Sequence, residues 1–145
     1  NPMYYKNKKK GMALTAIAGP IANLIMAFIG MLIGTVLYIT GIKLGWNDTA
    51  LRLINTITSL FAVRNLCFMI FNLIPIPPLD GSRILQLLIP DKYYFKFMRY
   101  ERYIIIAVFV LIFLGVLDKP LAFLENALYY GLDYVIGFPF RALSK

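Results

Sequence analysis

The residues best suited to chemistry lie in one short stretch, "FNLIPIPPLDGSRIL", at positions 71–85 of a 145-residue chain. An amide, Asn72, and a carboxylate, Asp80, flank prolines at positions 75, 77 and 78. A carboxylate can bind a metal ion, and an amide can donate a hydrogen bond to a developing oxyanion. An ionisable group near lipid is costly unless it faces protein or a wet cavity, and there it indicates a functional site.

The composition predicts the surroundings of this stretch. The chain is 60% hydrophobic with a mean hydropathy of +0.71, values typical of a membrane protein. We therefore predict an all-α, multi-pass membrane protein with a single transmembrane domain. Residues 1–10 form a lead-in on the cytoplasmic side, and four hydrophobic helices follow at 11–40, 49–74, 103–117 and 120–140.

The net charge of +8 follows the same topology. Lysines and arginines cluster before the first hydrophobic segment, between the second and third, and after the fourth. This alternation is the positive-inside pattern of membrane proteins and not a nucleic-acid-binding patch. It predicts that both ends of the chain and Asp80 face the cytoplasm. The basic and aromatic strip "PDKYYFKFMRYER" is expected to lie at that membrane interface.

The first hydrophobic segment carries a seam of mostly small residues that includes an amide, Asn23. The spacings of 4, 3, 4, 3 and 4 place all six on one helix face. They are Ala16, Pro20, Asn23, Ala27, Gly30 and Gly34. The first two segments are expected to pack as antiparallel neighbours. Asn23, Asn72 and Asp80 would then lie at a similar depth.

The prolines predict that the second helix ends after Asn72. Residues 75–80 are expected to be extended and to line a cavity, because each residue before a proline avoids the helical region. Ser82 could cap a further helix that continues through Leu88. A structural alternative stays open for Asp80, which could cap that helix and pair with Arg83. Glu125 and Asp133 are interpreted as polar-face or interface residues and not as catalytic ones.

Two motifs carry a resemblance to a known family. "GPIAN" at 19–23 and "NLIPIPPLDG" at 72–81 fit the patterns G-P-x-x-N and N-x-x-P-x-P-x-L-D-G. In this order, on successive hydrophobic segments, the pair resembles the site-2 protease family of intramembrane zinc metalloproteases. The resemblance covers essentially the whole chain, although the third and fourth segments match it only in general character.

The resemblance implies a function and a role for each motif residue. The family cleaves membrane-embedded substrates with one zinc ion, held by two histidines of an H-E-x-x-H helix and by the aspartate of L-D-G. Asp80 would be that carboxylate ligand. Asn72 would donate to the scissile carbonyl or its oxyanion, and Asn23 would line the site. The implied partners are the lipid bilayer and a membrane protein or transmembrane helix as substrate, in a bacterial cell membrane.

The sequence departs from the family in one respect, because it contains no histidine. Only one of three zinc ligands is present and the general-base glutamate is absent, so we expect this chain alone to be inactive. A chain that lacks an upstream segment is the favoured explanation, since no initiator Met is present. The alternatives are a catalytically dead relative that binds membrane helices as a scaffold, and a small transporter.

Overall fold

The computed structural model describes residues 8–77 and 79–143, and these residues form six α-helices and no strand. The helices are α1 Lys8–Lys43, α2 Asp48–Leu73, α3 Gly81–Leu88, α4 Asp91–Met98, α5 Glu101–Phe113 and α6 Asp118–Leu143. The predicted all-α class is confirmed. The first helix begins inside the predicted lead-in, of which residues 1–7 lie outside the described part.

Two helices are long and apolar enough to cross a membrane. They are α1, from Gly11 onwards, and α2. The α5 and α6 helices together make a third candidate span, bent by 81° at the break between them. The protein is therefore a multi-pass integral membrane protein. Two short helices, α3 and α4, connect α2 to α5. The α3 helix is the further helix that was expected to continue through Leu88, whereas no helix was predicted for the basic and aromatic strip that forms α4.

The small-residue seam of α1 is the main packing surface of the molecule, as predicted. Five of its six members are buried and Asn23 is half-buried. A Cβ atom on Gly30 would lie 2.5 Å from the ring of Phe61, and one on Gly34 would collide with the side chain of Thr58. Because α1 lacks side chains at these two positions, α2 can approach it closely.

The apolar core lies where α1, α2 and α6 meet. Its buried members are Ala27, Met31, Ala62, Leu66 and Ile136, with a half-buried shell around them. The α5 helix stands outside this core, since none of its residues is buried. The three core helices therefore form the frame that positions the motif residues, and α5 is a more loosely attached element.

The segment between α2 and α3 corrects one prediction. Ile74 is extended, with φ −62° and ψ 126°. The chain then folds through successive tight turns, with hydrogen bonds from the Ile76 amide to the Ile74 carbonyl (2.8 Å) and from the Leu79 amide to the Ile76 carbonyl (2.9 Å). The prolines end the helix as expected, but the described part of 75–80 is turned and not extended. These turns give some of the exposed backbone groups local partners.

Candidate active site

Asp80 occupies the position just before α3, but it does not serve as a helix cap. Its backbone is helical, with φ −60° and ψ −29°, and its side chain makes no capping hydrogen bond. Within the described residues it forms no ion pair with Arg83, whose side chain is exposed. The capping alternative therefore loses its support. Ser82 is not the cap either, since it lies inside α3 and its hydroxyl donates to the Leu79 carbonyl at 2.8 Å.

The two sequence motifs meet in space at Gly19 and Asp80. The Oδ2 atom of Asp80 lies 3.4 Å from the position that a Cβ atom on Gly19 would occupy. Gly19 and Asn23 are one helical turn apart, so they lie on the same face of α1. The carboxylate therefore sits against α1, one turn away from the half-buried Asn23.

Gly81 holds the other side of the site against the end of α2. A Cβ atom there would lie 2.6 Å from the carbonyl oxygen of Leu73 and would also collide with the carbonyl oxygen of Ile74. Only glycine allows this close approach of two backbone segments. Since Asn72 is in the last turn of α2, the approach brings α2's last turn and the Asp80 segment side by side.

The three predicted site residues share one chemical property. Asn23, Asn72 and Asp80 are each half-buried, and none forms a side-chain hydrogen bond or ion pair with any other residue of the described chain. The structure brings Asp80 to the Asn23 face of α1, and it records no direct contact between Asn72 and the other two. Polar groups that are withdrawn from solvent without partners need a further ligand or water.

The residues present do not make a complete metal site. Across positions 8–77 and 79–143, no three His, Cys, Asp or Glu side chains are grouped closely enough to hold a metal ion. A catalytic zinc usually takes three protein ligands, and here Asp80 is the one carboxylate at the junction of the two motifs. Asp80 fits the role of a single ligand, but this chain does not fit a zinc ion by itself.

An apolar cavity of about 240 Å³ adjoins the motif segment. Phe71, Ile76, Pro77 and Leu79 line one wall, and four residues of α5 line the other. Two of the wall residues, Phe71 and Leu79, are the sequence neighbours of Asn72 and Asp80. The cavity therefore provides an apolar surface beside the motif segment.

Sequence reasoning missed a second cavity, which is polar and has a volume of about 100 Å³, at the far end of the α1–α2 pair. The α6 helix closes it with Tyr129 and Asp133. Ser59 and Tyr129 are joined there by a hydrogen bond of 3.0 Å between their hydroxyl groups. Only part of the signal was present in the sequence: Tyr129 and Asp133 are spaced by four and share one face of α6, but their spacing does not indicate that they meet Ser59.

Comparison with known proteins agrees with the geometry. The sequence pattern of Peptidase family M50 matches residues 2–116, which include both motifs. The chain belongs to this family, the site-2 protease family. It is also 36% identical, over 112 residues, to "Putative zinc metalloprotease YwhC" of Bacillus subtilis (strain 168). No solved structure matches the chain.

The match to YwhC covers 77% of this chain but only 50% of YwhC. The chain thus spans about half the length of the curated relative that it matches. Both sequence motifs lie in the part that matches the M50 family. The residues that the structure brings together, Gly19 and Asp80, therefore lie within the family match.

Proposed function

We propose that this chain is the part of an intramembrane zinc metalloprotease that supplies the carboxylate ligand and the amide groups of the site. The observation that carries the proposal is the half-buried Asp80 carboxylate, which lies against Gly19 and has no partner among the described residues. A carboxylate that served packing alone would be expected to accept hydrogen bonds from its neighbours.

In this proposal each motif residue has a separate role. Asp80 provides one zinc ligand, and Asn72 donates to the scissile carbonyl or its oxyanion. Asn23 orders water or substrate one turn along α1 from the carboxylate. The substrate is a membrane-embedded segment, and its apolar side chains suit the cavity between the motif segment and α5. The positive-inside pattern of the sequence supports an orientation in which this site faces the cytoplasm.

Activity requires the two histidines and the general-base glutamate of an H-E-x-x-H helix, and the 145 residues contain no histidine and hence no such motif. This requirement favours one second candidate, a catalytically dead relative that binds membrane helices as a scaffold. The two candidates differ in what Asp80 does. In a protease the carboxylate is needed for cleavage, whereas in a scaffold its loss leaves helix binding intact.

The test is the Asp80→Asn variant of the complete protein that contains this chain, reconstituted with a fluorescent transmembrane peptide. We expect cleavage to fall by more than the roughly 10²- to 10³-fold that the loss of one hydrogen-bond donor costs an enzyme. The matched control is Asp133→Asn, the same change at the far end of the core helices, which should retain cleavage. Equal cleavage by Asp80→Asn and wild-type protein would disprove the proposed role.

A further inference from the structure

The α4 helix, the turn after it and the first residues of α5 form a surface that the proposed site does not use. Its exposed residues, here called the α4 platform, alternate cations with aromatic rings. They are Lys92, Tyr93, Phe95, Lys96, Arg99, Tyr100, Arg102 and Tyr103. Among the side chains of this helix that the structure describes, 92–98, only Tyr94 is buried, with 8% of its surface exposed. A helix with a single buried residue contributes little to a core, so its exposed side calls for another explanation.

Helical geometry arranges the exposed side in a definite order. At 100° per residue, Lys92 and Lys96 lie one turn apart on the side opposite Tyr94. Phe95 lies to one side of this lysine pair and Tyr93 to the other, with exposed fractions of 64% and 63%. The outward face of α4 is therefore a pair of ammonium groups between two aromatic rings.

The cations of the platform are not neutralised within the described part of the protein. Lys92, Lys96, Arg99 and Arg102 form no ion pair there. The only acidic residues in the same stretch, 91–103, are Asp91 and Glu101, so four positive and two negative charges leave a net charge of +2. The platform has cationic groups available for an external anion.

The aromatic rings and the position of α4 indicate where that anion lies. Tyrosine and tryptophan rings concentrate at membrane–water interfaces, and lysines there extend toward the headgroups. The α4 helix comes shortly after the break at the end of the spanning helix α2, from which the short helix α3 separates it. Leu88, the last residue of α3, is 76% exposed, which suits contact with acyl chains and not with water.

We infer that the α4 platform binds the phosphate groups of anionic phospholipids at the leaflet where α2 ends. The lysine pair and the arginines contact the headgroups, while the flanking rings lie at the level of the headgroup–acyl boundary. This inference stands on the exposure and charge of the platform, and it does not depend on proteolysis.

The test measures lipid selectivity directly. The protein is reconstituted in phosphatidylcholine bilayers that contain either spin-labelled phosphatidylglycerol or spin-labelled phosphatidylcholine. The motionally restricted fractions give the relative association of the two lipids. We expect wild-type protein to prefer phosphatidylglycerol by about fivefold, the contribution of roughly one cation held at an anionic surface. High salt should reduce this preference through screening.

Three variants test whether the α4 platform is the surface that binds the anionic lipid. K92Q/K96Q/R99Q should lower the preference to about one, because it removes the headgroup charge contacts. The matched variant K43Q/R52Q/K119Q removes the same number of positive charges from exposed positions outside α4. It should keep the preference for phosphatidylglycerol. K92R/K96R should also keep the preference for phosphatidylglycerol. This result would show that the preference depends on positive charge and not on the lysine side chains themselves. An absent preference in wild-type protein would overturn the inference, as would equal losses in the two triple variants. Binding to an acidic polypeptide without lipid preference would also overturn it.

Discussion

The two ends of the α1–α2 pair differ in the polar side chains that they leave without partners, although hydroxyl groups form local hydrogen bonds at both ends, as Thr15 and Ser82 do near Gly19. At the end near Gly34, Thr35 donates to the Met31 carbonyl at 2.9 Å, and Thr58 donates to the Ile54 carbonyl at 2.8 Å. Ser59 reaches across to Tyr129 of α6 at 3.0 Å. At the end near Gly19, the half-buried Asn23, Asn72 and Asp80 have no such bonds within the described chain.

This difference distinguishes polar groups that stabilise the fold from polar groups whose hydrogen-bonding capacity is left for a ligand. Within a membrane, a hydroxyl that bonds back to its own helix is satisfied in any state in which the helix exists. A bond such as Ser59–Tyr129 forms only when two helices meet, so it adds to tertiary stability. The amides and the carboxylate near Gly19 stabilise neither the helices nor their packing, which is the condition expected of a binding site.

The largest effect on stability is expected at the backbone contact of the Gly19 end. Gly81→Ala places a methyl group against the Leu73 and Ile74 carbonyl oxygens, which are backbone atoms and cannot turn aside. We expect a loss of about 2 kcal/mol in the free energy of unfolding, within the range typical of overpacking. Unfolding in mixed detergent micelles, followed by circular dichroism, measures this loss.

The matched control for Gly81→Ala is Gly19→Ala. A Cβ atom at Gly19 meets the Asp80 carboxylate at 3.4 Å, an ordinary van der Waals distance. The protein should therefore keep its stability or gain slightly, since alanine favours a helix over glycine by about 1 kcal/mol. If Gly81→Ala and Gly19→Ala are equally stable, then the close approach of α2 and the Asp80 segment does not exist.

Some of this organisation could be read from the sequence, because it is local. The small-residue seam, the break after Asn72 and the meeting of the two motifs follow from spacing and proline chemistry. The contact between Ser59 and Tyr129 joins residues 70 positions apart, and no local pattern predicts it. Hydrophobic periodicity does not indicate which faces of α2 and α6 pack together, because a membrane helix can be apolar on all sides. The turns between Ile74 and Asp80 were missed since proline restricts φ without choosing the turn.

A smaller effect is expected at the opposite end, from the hydrogen bond between helices. Tyr129→Phe removes the hydroxyl that pairs with Ser59 and leaves the ring in place. We expect a loss of about 0.6 kcal/mol, the average for a hydrogen bond between membrane helices. A double-mutant cycle with Ser59→Ala, measured by the same unfolding experiment, isolates the pair. A coupling energy of zero would show that this end is not held by the bond.

The smallest effect on stability is expected from the amides of the candidate site. Asn23→Ala and Asn72→Ala remove side chains that have no hydrogen-bond partner within residues 8–77 and 79–143. Alanine also favours a helix over asparagine, so each variant should unfold within about 0.5 kcal/mol of wild-type protein or be slightly more stable. The same unfolding experiment provides the comparison with Tyr129→Phe. A loss greater than that of Tyr129→Phe would mean that the amides serve the fold. The contrast between the two ends would then disappear, and with it the reason to place a binding site beside Asp80.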